Sequence, residues 1–135
     1  MRSRKALALW ALAIGYAATI FLLSAFPVPA PAEAAVRVGD KALHLLEYAG
    51  FALLLSLALA TAPPPAVRLR APWIALAGAI LYAASDEFHQ GLVPGRDASL
   101  LDFAADVAGA AVGAAVHAVW AWRSRRAAVS GTSPR

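Results

Sequence analysis

Cysteine is absent from this 135-residue chain, and methionine occurs once. The absence of cysteine excludes disulfides, thiolate metal sites and thiol nucleophiles. Charge is sparse as well, at 15% of residues against 61% hydrophobic ones. The apolar residues do not alternate with polar ones in short runs. They form four long blocks parted by segments rich in proline and arginine. A helix needs about 20 apolar residues to cross the hydrocarbon core of a bilayer. Four such blocks fill most of the chain and leave little for a soluble domain.

The blocks run over approximately 6–26, 43–62, 72–93 and 100–122. Backbone in lipid must satisfy its own hydrogen bonds, so each block is expected to be a helix. The breaks "FPVPAPAEAA" and "TAPPPAVRLRAP" are expected not to continue a helix, because proline lacks the N–H and clashes with the preceding turn. "VPGRD" reads as a Pro-Gly turn. The expected fold is all-α, an integral membrane bundle of four transmembrane helices in a single domain over 1–126, with a flexible tail at 127–135.

Charge position orients the bundle. If the spans alternate, nine basic residues lie on one side: Arg2, Arg4, Lys5, Arg68, Arg70, Arg123, Arg125, Arg126 and Arg135. Arg37, Lys41 and Arg96 lie on the other. The positive-inside rule then places both termini in the cytoplasm. The net charge of +4 therefore reflects orientation and lipid headgroups, and no nucleic-acid partner is expected. Basic residues, an apolar stretch and the small-residue run "PAPAEAA" imitate a signal peptide. The first block exceeds the usual apolar length of such a peptide, so it is read as a retained helix.

All eight acids, Glu33, Asp40, Glu47, Asp86, Glu87, Asp97, Asp102 and Asp106, fall in outer loops or the outer parts of spans. The orientation rule makes no such demand of acids. In "DKALHLLEYAG", Asp40, His44 and Glu47 share a face through i, i+4, i+7 spacing, with Lys41 and Tyr48 one step round. In "YAASDEFHQG", Asp86, His89 and Gln90 share a face, with Glu87 beside it. In "SLLDFAADVAG", Asp102 and Asp106 are an i, i+4 pair, and Ser99 is an N-cap with Asp102 at N3. A charge in this zone costs several kcal/mol if it faces lipid. Convergence of three helix ends on one water-accessible pocket avoids that cost. Ala105, Gly109 and Gly113, four apart, form a small-residue seam suited to close helix packing.

These residues also resemble a family. Asp40-Lys41-x-x-His44, then Asp86-Glu87-x-x-Gln90, the turn Pro94-Gly95-Arg96, and Asp102 ahead of Gly109 and Gly113 look like the VanZ-like membrane proteins. The resemblance covers about the middle two-thirds of the chain. It departs at Asp106, where the pattern carries Asn. It implies a multi-pass protein of the bacterial cytoplasmic membrane. The family is named after a member associated with resistance to the glycopeptide teicoplanin, and the resemblance implies no settled reaction.

Three functions remain open on the residues. The pocket binds or modifies an envelope molecule: a lipid headgroup, a lipid-linked precursor or a lipoglycopeptide. In that reading Asp40, Lys41, His44, Glu47, Gln90, Arg96, Asp102 and Asp106 form the binding set, and Arg96 takes a phosphate or carboxylate bidentately. Alternatively the pocket is hydrolytic, with Glu87 or Asp86 as general base and His89 or His44 as partner. In the third reading the charges only hold the helices together, in a membrane scaffold. His44, Glu47, Asp86, His89 and Asp102 carry donors suited to a divalent ion. No histidine spacing matches a zinc signature, so no metal or cofactor is assigned. His117 is read as an interfacial residue beside Trp120 and Trp122, an aromatic belt above the arginine cluster.

Overall fold

The computed structural model describes the backbone of residues 2–26 and 30–130 and the side chains of 4–26 and 41–128. It is all-helical over these residues: α1 (Arg2–Ser24), α2 (Ala30–Leu59), α3 (Pro65–Leu69), α4 (Ala71–Gln90) and α5 (Leu100–Ser130). α2 starts well before the expected position 43. Pro31 stands in its first turn, where the missing N–H has no helical partner to lose. The same reason admits the five-residue α3, which begins on Pro65, and Pro72 at the start of α4. Proline thus parts the long helices without excluding helix between them. α5 continues to Ser130, into the segment read as tail.

Three stretches are long and apolar enough to cross a membrane: Arg4–Ser24, Lys41–Leu59 and Leu100–Ala128. α4 has the length of a span, at 20 residues. Its last turns carry Asp86, Glu87, His89 and Gln90, which lower its apolarity. Large apolar side chains point outward, among them Leu7, Ile14, Leu46, Trp73, Leu81 and Val116. Water would penalise so much contiguous apolar surface, whereas lipid tails solvate it.

Paired residues give the directions. Lys41 meets Asp102, His44 meets Asp106, and Ser56 meets His117. Sequence number rises together on both helices, so α2 and α5 run parallel. Ala17 meets Tyr82 and Ser24 meets Asp86, so α1 and α4 run parallel to one another. They oppose the other pair, because the end of α4 lies beside the start of α5, where the Ser99 N–H reaches Glu87.

The closest approach is between α2 and α5. A Cβ added at Gly109 would run into the Leu45 carbonyl, and one added at Gly113 into the Ala49 carbonyl, one turn on. The seam expected from Gly109 and Gly113 is the contact line. α4 presents its own small stripe inward: Ala71, Ala75, Ala79 and Ala83 are fully buried. Ile20, Tyr48, Phe51, Ala52, Ala79, Ala83 and Ala110 form the core. Over the next two turns of α4 the same inward face becomes Asp86, Glu87 and Gln90.

Candidate functional site

The alanine face of α4 holds it close to α2 and α5, so the polar residues that follow it are driven inward. Asp86, Glu87, Gln90, His44, Asp102 and Asp106 are all buried at this end of the bundle. The loop from 91 to 99 is set by a turn in which Arg96 N donates to Val93 O at 3.0 Å. Gly95, at φ 83°, occupies the left-handed position that follows the proline in a type II turn. Ser99 then caps α5, its Oγ accepting from Asp102 N at 3.3 Å. In a capping box the acid at N3 would take the N–H of the cap residue. Here Glu87 of α4 takes it, at 2.7 Å, and Asp102 is left to pair with Lys41.

Two linked polar sets result. In the first, Asp86 Oδ2 accepts from Ser24 Oγ at 2.9 Å and from Gln90 Nε2 at 3.2 Å. Gln90 Oε1 in turn accepts from Arg96 Nη1 at 3.3 Å. In the second, His44 Nδ1 and Asp106 Oδ1 lie 2.9 Å apart, with Lys41 and Asp102 one turn nearer the helix starts. Not every acceptor is filled. Asp86 Oδ1, Glu87 Oε1, Asp106 Oδ2 and the Tyr48 hydroxyl are buried and meet no hydrogen-bond partner. Buried polar groups are normally paired, so each of these open positions calls for a partner such as a water, an ion or a ligand atom.

The sequence-selected residues do not all converge. Asp40 lies on α2, but its side chain is outside the described residues. The inward face of α2 here is His44 and Tyr48; Lys41 reaches Asp102 from a half-exposed position, and Glu47, expected on that face, is likewise only half-buried. His89 leaves the acids and stacks on Phe21 of α1, ring centroids 4.4 Å apart. Its Nε2 is buried and without a hydrogen-bond partner, so among the described residues the imidazole–carboxylate contact is His44 with Asp106. Arg96 donates to Leu23 O at 2.8 Å and Phe26 O at 3.0 Å. It ties the loop to the end of α1, which occupies the fork expected to hold an anion.

The sequence reading overlooked α1. Ser24, Leu23, Phe21 and Phe26 all contact the cluster or its supports, and only Ser24 at the helix end offered a polar signal. His117 also departs from expectation. It is buried and bonded to Ser56, because the parallel packing of α2 and α5 sets the two opposite each other. Trp120 does lie beside it, at 5.8 Å, and Arg126 covers Trp122 at 4.1 Å.

A groove of about 290 Å³ opens beside the cluster, lined by Ala84, Glu87, Ala98, Ser99, Leu100 and Phe103. Its walls are mainly apolar, and Glu87 is its charged residue.

Long apolar helices around a polar cluster at one end define a multi-pass helical membrane protein. Residues 7–121 match the VanZ/LLP1 family, and the chain belongs to that family. No curated protein and no solved structure matches it.

Proposed function

We propose that this VanZ-family protein binds an envelope amphiphile at the outer face of the bacterial cytoplasmic membrane. The apolar groove holds part of its chain, and the acidic cluster holds a head bearing amine or hydroxyl donors. The observation that carries this reading is the coincidence of the groove with Glu87, whose Oε1 is unfilled. Arg96 already spends three N–H groups inside the protein, so a donor-bearing head suits the site better than a bare anion.

In this reading α4 is a fourth crossing beside the three apolar spans. α4, at 20 residues, lies between α3 and α5 in the chain and is opposite in direction to α2 and α5. With alternate spans, the nine-to-three distribution of basic residues puts the acidic end outside. Lipid headgroups, lipid-linked precursors and lipoglycopeptides are the molecules found there, and a link to teicoplanin resistance falls within this reading.

The test is the melting midpoint of delipidated protein in detergent with phosphatidylethanolamine, phosphatidylglycerol or a lipid-linked precursor of matched concentration. A ligand of the native state raises the midpoint by mass action. The amine-bearing head is expected to stabilise wild type most, and Ala98→Phe, which fills the groove, is expected to abolish the response. Equal behaviour of all lipids, or a full response in Ala98→Phe, would overturn the proposal.

A second reading is favoured by the contacts of Asp102 with Lys41, Asp106 with His44 and Asp86 with Ser24. These charges then act as struts in a membrane scaffold. Sharp destabilisation by both Glu87→Gln and Asp102→Asn, with no lipid response, would select it.

A further inference from the structure

Within the acidic cluster, one trio has a geometry of its own. His44 comes from α2, Glu87 from α4 and Asp106 from α5. All three are buried, and one donor atom from each lies within 4.8 Å of the other two. Donors about 2.1 Å from a common ion are at most about 4.2 Å apart. Neighbouring ligands of a tetrahedral ion lie about 3.4 Å apart, so the trio closes on an ion with side-chain shifts of up to about an ångström. The 2.9 Å separation of His44 Nδ1 and Asp106 Oδ1 is already that of neighbouring ligands around one ion.

A second observation points the same way. Asp106 is fully buried, yet its Oδ2 has no partner, and Glu87 Oε1 is likewise buried and unpartnered. The Ser99 N–H binds the other oxygen of Glu87 and holds the carboxylate in place. Lys41 is engaged by Asp102, one turn away. Among the described residues of the trio, two carboxylates then share one imidazole in a region sheltered from water. Such a set favours added positive charge, because a buried charge without a partner is costly.

We infer that His44, Glu87 and Asp106 form a binding site for one divalent cation. One imidazole nitrogen with two carboxylate oxygens suits a borderline ion such as Zn²⁺ or Mn²⁺. Three protein ligands leave positions for water or for a ligand atom. The sequence offers no metal motif because each ligand comes from a different helix. The inference shares Glu87 with the groove but does not depend on any lipid occupying it.

The experiment titrates chelator-treated, detergent-purified full-length protein with Zn²⁺ or Mn²⁺ alone, using calorimetry for the first and electron paramagnetic resonance for the second. Wild type is expected to bind one ion per chain. Glu87→Gln and Asp106→Asn, which keep shape and remove charge, are expected to weaken binding by at least about tenfold, as loss of supporting or direct metal contacts does. Asp97→Asn, at an exposed acid in the loop, is expected to bind as wild type does. Absence of saturable binding by wild type would overturn the site, as would unchanged affinity in Glu87→Gln. Circular dichroism checks folding, and if Asp106→Asn does not fold, wild type and Glu87→Gln still decide.

Discussion

Gly109→Ala isolates the physical basis of the bundle. The new methyl carbon would overlap the Leu45 carbonyl oxygen and lie 2.8 Å from its carbon and 3.0 Å from Leu45 Cα. Carbon atoms pack at about 3.5–4.0 Å, so α2 would have to retreat by about an ångström. No side chain can rotate away, since the obstacle is backbone. Gly113 meets Ala49 in the same way one turn on, so the helices cannot separate at one point alone. Overpacking costs about 1–3 kcal/mol, and more where backbone must move. Alanine returns about 1 kcal/mol of helix propensity. A net loss of up to about 2 kcal/mol follows, which at roughly 4 °C per kcal/mol lowers the melting midpoint by up to about 8 °C. The retreat would also part His44 from Asp106. Gly15→Ala is the matched control, because an added Cβ there meets nothing within 4 Å. The assay is thermal unfolding of both variants and wild type in one detergent. Equal midpoints for Gly109→Ala and Gly15→Ala would refute the close α2–α5 contact.

Arg96→Lys keeps the charge but loses the fork that reaches Leu23, Phe26 and Gln90 together. It is expected to cost about 1–2 kcal/mol and to speed hydrogen exchange across residues 91–99; exchange unchanged in that loop would count against its anchoring role. Because the chain lacks cysteine, single introduced cysteines report topology directly. Asp97→Cys is expected to react with an impermeant maleimide in intact cells and Ala128→Cys only after permeabilisation, and labelling of both from one side would refute four crossings.

Much of the architecture was legible along the chain because lipid imposes a strict rule: apolar, hydrogen-bonded and about 20 residues long. The long helices, the Ser99 cap, the Pro94-Gly95 turn and the Gly109–Gly113 seam all follow from local chemistry or spacing. The start of α2 did not, since proline is harmless in a first turn and damaging only further in.

Facing was less legible. Helical spacing put Asp40, His44 and Glu47 on one stripe, yet among the described residues there His44 and Tyr48 are the buried ones and Glu47 is only half-buried. A stripe has width, and the partner helix decides which edge of it is buried. The same applies to His89, which the proximity of α1 turns toward Phe21.

The sequence by itself determined that this chain is helical, apolar and acidic near one end of its spans, because those properties depend on composition and order alone. Tertiary structure decided which acids keep an unfilled oxygen, which imidazole meets a carboxylate and where a groove reaches them. Those outcomes depend on the parallel register of α2 and α5 and on α1 closing against α4. Both are set by how closely glycine and alanine faces pack, over distances that no local spacing records.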